Sequence, residues 1–269
     1  MPVTQYSCIA CGDFLEIPIL SNAGQLCRTC SAQGYFRKDI IITGITRMNN
    51  DHICVSGVDP ITMRFVRPIF NSGIERDFVM DGSTQIIQHF NVVEIEFKNY
   101  RPCVDFHTED WIINENFAPK YVRHLTDNEI VSILNRLSIN NLYAAMAPHD
   151  KSLFILKGNL QRIWHEYSFG KFKVRMDFQD QSGNIFKKIP VTDLLTLAFV
   201  RYQIKNKNMN YSAQLIRLFN NNPYRYIRIG LTRLFHGQHW KQVTALITLP
   251  DLFNGNSFSY YEKKVGEMV

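Results

Sequence analysis

The run KFKVRMDFQD (residues 171–180) alternates charged or polar with apolar side chains, the period-two signature of a half-buried strand. QSGN follows as turn chemistry and IFKKIPV resumes as a partner strand, so this stretch is committed to an antiparallel hairpin with one wet face. The same grammar recurs along the chain. IIITGIT (40–46), HICVSGV (52–58), MRFVRPIF (63–70) and NVVEIEF (91–97) are β-rich runs with short polar turns between them. Pro68 should end its run or sit on an edge, because it has no N–H to give a ladder. RYIRIGLTRLF (225–235) and HWKQVTALITLP (239–250) read as two more strands around the turn HGQ.

Helices are few. TDNEIVSILNRL (126–137) opens on a capping box, Thr126 and Glu129, and lines up Ile130, Ile133, Leu134 and Leu137 as a core-facing stripe. TDLLTLAFVRYQIK (192–205) reads as a helix capped by Thr192, and YSAQLIRLF (211–219) as a shorter one. The fold class is mainly β with a few helices, as two β-rich units divided near PHDKSLF (148–154). The expected domains are 1–36, 37–150 and 151–269.

The first of these carries the sharpest chemical signal. Cys8/Cys11 and Cys27/Cys30 form two CxxC pairs, and thiolates at that spacing converge as a four-cysteine zinc site. Four thiolates close the coordination sphere, so the expected single Zn²⁺ is structural, holding a knuckle with FLEIPIL as a strand and SNAG as a turn. The start MPVTQYS has neither a basic nor an apolar leader region, so reduced thiols and a cytoplasmic setting are expected rather than disulfides. No apolar run approaches the ~20 residues needed to span a bilayer.

Charge separates the halves. Residues 1–150 carry 12 Lys/Arg against 17 Asp/Glu, a balance of −5, and residues 151–269 carry 18 against 7, a balance of +11. Such asymmetry points the second half toward a polyanion. On the strand at 171–180, Lys171, Lys173 and Arg175 share a face, and Phe169 joins it if the strand extends back. Cations for phosphates beside an aromatic for a base are what single-strand binding uses. Tyr226 with Arg228 offers a second such pair, and Arg233 and Lys241 cluster at the following hairpin, where Trp240 is expected in the core. His107, Glu109 and Asp110 in HTEDW read as a structural hydrogen-bonding cluster. On a strand, Asp110 would point away from the other two, and GxxxxGK[ST], HExxH and GxSxG are absent. Binding rather than catalysis is expected.

The run IIITGITRMNNDHICVSGVDPITMRFVRPIF with HTEDWII resembles the opening half of the bacterial dual OB-fold domain family. FKVRMDFQDQSGNIFKKIPVTDL and RYIRIGLTRLF…HWKQVTALITLPDLF resemble its second half, over about 39–253 in all, with the cysteine knuckle outside. The resemblance implies two tandem OB-like barrels, a nucleic-acid partner and a place in bacterial antiviral defence. Single-stranded DNA or RNA is expected, since no helix carries a basic stripe for a major groove. The alternative is an adaptor gripping a protein partner through the knuckle and the acidic half.

Overall fold

A computed structural model of the chain describes residues 6–8, 14–15, 20–21, 24–25, 34, 36–48, 51–70, 73–100 and 107–267. Six strands build the first sheet: β1 (Phe36–Arg47), β2 (Ile53–Val58), β3 (Phe65–Ile69), β4 (Asn91–Tyr100), β5 (Asp110–Ile113) and β6 (Lys120–His124). Their order is β5–β3–β2–β1–β4–β6, and β4 also pairs with β5, which closes five strands into a barrel with β6 appended. β3 and β5 run parallel, Asp110 opposite Arg67, and Pro68 lies mid-strand opposite Trp111.

Helix α1 (Asp127–Leu137) starts as expected, with Thr126 accepting from Glu129 N–H and both arms of the capping box formed. After it, Ser138–Ile139 already pairs with the second sheet, and the short helix α2 (Leu142–Met146) places Leu142 in the second core. The second barrel comprises β7 (Leu153–Ser168), β8 (Lys171–Asp180), β9 (Ile185–Val191), helices α3 (Leu194–Lys205) and α4 (Tyr211–Asn221), β10 (Tyr224–Leu231) and β11 (Lys241–Leu249). Its order, β7–β8–β9–β11–β10 closed by β7–β10, repeats the first barrel's connectivity strand for strand, including the parallel pairing of third with fifth. A last helix, α5 (Phe258–Gly266), follows. β8 falls on the residues its alternation marks, and β9 on the run read as its partner after the QSGN turn. The cap of α3 does not: Asp193, one residue beyond Thr192, accepts from Thr196 N–H and Oγ1.

The barrels share packing. Leu194 and Ala198 of α3, with Phe253, Phe258 and Tyr261, lie in the core cluster of the first barrel, while Leu197 and Val200 of the same helix lie in the second. A third cluster joins Ile41 and Val92 of the first barrel, Ile130 and Leu134 of α1, and Tyr226, Ala245 and Ile247 of the second. The outward side of β10–β11 is therefore interior to the molecule, which is why β10 is buried on both faces.

At the N-terminus Tyr6–Ser7 pairs with Phe14–Leu15, and Leu20–Ser21 with Gly24–Gln25; residues 16–19 of the expected FLEIPIL strand and the centre of the expected SNAG turn, Asn22 and Ala23, lie outside the described residues. Cys8 is wholly buried in the first core cluster; Cys11, Cys27 and Cys30 lie outside the described residues. Among the described residues no helix is long and apolar enough to cross a membrane.

Candidate nucleic-acid interface

β7 and β8 meet at the two-residue turn Phe169-Gly170, with φ of 52° and 70°. Two consecutive left-handed residues match the twist of a hairpin, but Asn or Asp usually fills the first position because a bulky side chain is strained there. Phe169 nevertheless occupies it, and its ring is 97% exposed. Lys173 Nζ stands 5.7 Å from the ring centroid.

The ladder orders the face behind that turn. Ser168 lies opposite Lys171, Glu166 opposite Lys173 and Trp164 opposite Arg175, all on the outer side, while Phe172, Val174 and Met176 fill the core. Arg175 Nε donates to Glu166 Oε1 at 3.1 Å, and Lys171 and Lys173 form no ion pair among the described residues. Lys171, Lys173 and Arg175 share the outer face as the alternation implies, whereas the strand does not extend back to Phe169, which lies in the turn and meets that face through Lys173. The structure adds side chains the sequence reading passed over. Arg162 on β7 holds its guanidinium 5.0 Å from the Trp164 ring. Lys187 and Lys188 are exposed on β9. Arg47 Nη2 donates to the Phe172 carbonyl at 3.2 Å, and Arg201 lies 4.9 Å from the Phe172 ring. The missing signal was β7 itself: LFILKGNLQRIWHEYS alternates poorly because Gly158 interrupts it and a bulge between Leu160 and Arg162 shifts its phase.

Tyr226 and Arg228 do not form an accessible pair: both are wholly buried. Period two correctly set them on the face opposite Ile227 and Ile229, but that face packs on the first barrel instead of meeting solvent. Arg228 crosses the boundary, donating to Ser56 Oγ and Thr244 Oγ1 at 2.8 Å each. Gly44 makes the crossing possible, since a Cβ there would run into the guanidinium. Burial pushes the Arg228 group down to about 10. Arg233, in the loop between β10 and β11, is tied to Asp110 of the first barrel. Lys241 opens β11, 5.7 Å from the Tyr143 ring. Trp240 is not core: it is half exposed in that loop, its Nε1 donating to the Phe235 carbonyl oxygen at 3.3 Å.

His107, Glu109 and Asp110 are all buried, and β5 begins only at Asp110, so strand alternation does not separate them. Glu109 Oε1 accepts from the N–H groups of Ser152 and Leu153 at 2.6 and 2.9 Å, and Asp110 Oδ1 accepts from Arg67 Nε at 2.6 Å. His107 Nε2 meets the Leu231 carbonyl oxygen at 3.1 Å, and burial pushes the imidazole down to about 4. The Glu109 and His107 bonds join the first barrel to the start of β7 and the end of β10. The Arg67–Asp110 bond stays within the first barrel, but its two partners also reach Ser152 and Arg233 of the second half, so the cluster is a seam. Among the described residues no three His, Cys, Asp or Glu side chains are grouped to hold a metal.

Two closed five-stranded barrels, each ordered 1-2-3-5-4 with the third strand parallel to the fifth, define a tandem OB-fold protein. The chain belongs to the dual OB-containing domain family, whose model matches residues 38–246. No curated protein matches it. Among solved structures, a murine DNA-binding protein bound to double-stranded DNA aligns at TM-score 0.34 and 9% identity, over 78% of this chain and 90% of that one. The tetrameric p202 HIN2 structure aligns at TM-score 0.31 and 12% identity, over 79% and 93%. Likeness of that degree says nothing about what this chain binds.

Proposed function

We propose that the chain binds single-stranded nucleic acid, without catalysis, on the outer face of β7–β9 of its second barrel. The observation that carries this is Phe169, an almost fully exposed ring at a strained turn with a lysine beside it. Base stacking on an exposed aromatic is sequence-tolerant, because every base has a π-face, and Lys171, Lys173 and Arg175 lie in line to take phosphates. Arg233 lies in the segment joining the fourth and fifth strands, and Lys241 is the first residue of the fifth; that segment is one of the two loops that flank the binding face of OB barrels. His107, Glu109 and Asp110 are bonded into the seam between barrels, which favours binding over chemistry there.

Fluorescence polarization with labelled single strands tests this reading. Phe169→Ala should weaken binding by about 1–3 kcal/mol, the worth of one stacked base. Charge reversal at Lys173 and Arg175 should weaken all sequences alike and flatten the dependence on salt by about one unit of slope per lost phosphate contact. Unchanged affinity in both variants, or a preference for duplex, would sink the assignment.

The same proposal includes one structural Zn²⁺ on Cys8, Cys11, Cys27 and Cys30. Burial of Cys8 directly after a paired strand suits a ligand that ties a knuckle to the first barrel. Elemental analysis should find about one zinc per chain if four thiolates share one ion. A role in bacterial antiviral defence rests on the family resemblance.

A further inference from the structure

We infer that the single-strand path does not stop at the hairpin face but continues along the β7–β8 ribbon into a polar groove at the far end of the second barrel, where Lys157 and Arg225 take a further phosphate. This rests on the proposed binding face and extends it.

The groove encloses about 620 Å³ and is lined by Lys157, Asn159, Gln179, Asp180 and Arg225 among others. Its position follows from the ladder. Asn159 lies opposite Gln179, and Gln179 shares the outer face of β8 with Lys171, Lys173 and Arg175. The bulge at Gln161 restores the phase, so that Arg162 and Trp164 of β7 stand on the same outer side as Asn159. One surface therefore runs from Phe169 to the groove. Eight strand intervals separate Lys171 from Gln179, about 27 Å at the usual rise. That suits a segment within the roughly 4–16 nucleotides an OB barrel accommodates.

The groove is built to meet an anion. Its one lining carboxylate, Asp180, is occupied: Oδ1 accepts from the Ser182 and Asn184 N–H groups and Oδ2 from Leu142 N–H and Asn184 Nδ2. Arg225 is positioned without being neutralised, its Nε donating to Asn159 Oδ1 at 3.1 Å and its Nη1 to the Asn222 carbonyl oxygen at 2.8 Å. Lys157 Nζ rests 5.8 Å from the Tyr226 ring. Neither cation forms an ion pair among the described residues. Between groove and tip only Glu166 and Asp177 are acidic on this face; the first is bonded to Arg175 and the second accepts the Lys188 N–H at 2.6 Å.

The test is polarization of labelled oligothymidylates of increasing length against the wild-type chain, Lys157→Glu and Arg225→Gln, each first checked for an unchanged melting temperature. Wild-type affinity should keep rising after the hairpin face is filled. Both variants should weaken the longest oligonucleotides about tenfold and leave the shortest unaffected, because the groove lies beyond the ~8 Å screening length at physiological salt. Phe169→Ala should weaken every length. Equal loss at all lengths in the groove variants, or no loss at any, would overturn the extension alone if Phe169→Ala still weakens binding. Wild-type protein that binds no length would overturn the face and its extension together.

Discussion

At the scale of single residues, the seam between the barrels holds two titrating groups with opposed preferences. Asp193 is wholly buried, and burial pushes its carboxyl from 3.8 up to about 7. His89, whose Nε2 lies 3.8 Å from Asp193 Oδ1, is pushed by burial and then by the Arg228 charge from 6.5 down to about 4. Folding makes Asp193 hold its proton more tightly, so its contribution to stability is present below about pH 4 and lost as pH rises through about 7. Folding makes His89 hold its proton less tightly, so its contribution is present above about pH 6.5 and lost as pH falls through about 4. The two slopes oppose each other. Asp193→Asn, which can still cap α3, should leave stability rising with pH across that window, and His89→Asn should leave it falling. Urea midpoints measured at both ends check the signs; parallel slopes in the two variants would show that the pair does not govern this window.

At the scale of elements, alternation located β8 to the residue because it has one wet and one dry face, and the QSGN turn then located its partner β9. Alternation misjudged β10, whose outward face meets another barrel, and it passed over β7, whose phase changes at a bulge. Burial on a second face leaves no local trace. Capping is local, and α1 shows it: Thr126 and Glu129 close the N-terminus through bonds visible in the spacing alone, and the structure adds Arg123 on Glu129. Thr126→Ala should destabilise the protein by about 1 kcal/mol, the usual worth of such a cap. The loss should appear as a lower thermal midpoint, because α1 sets Ile130 and Leu134 between the barrels. A midpoint equal to wild type would mean that α1 is held by packing alone.

At the scale of the whole molecule, the barrels share their cores and should fold as one unit. α3 and α5 come from the second half of the chain yet fill the first core, and Arg228, Arg67 and Glu109 bond across the seam. A chain ending at residue 150 lacks Leu194, Ala198, Phe253, Phe258 and Tyr261 from its core and should fail to fold, read as the absence of a cooperative melt. In the full chain, variants retaining only Trp111, in the first barrel, or only Trp164, in the second, should report the same urea midpoint. Two separated midpoints would show that the barrels unfold independently.

The linear sequence determined what depends on neighbours: strand and helix periods, the capping box, the charge contrast between halves, and the β8 face with its lysines. The family was legible too, as a resemblance carried by the residues themselves, and the family model matches residues 38–246. Only the tertiary structure decided which faces meet water. Tyr226 and Arg228 read as a binding pair until the first barrel covered them, and Phe169 became the leading candidate once the turn left its ring in solvent. Exposure is a property of what packs against a residue from far along the chain, and a local pattern carries no account of that partner.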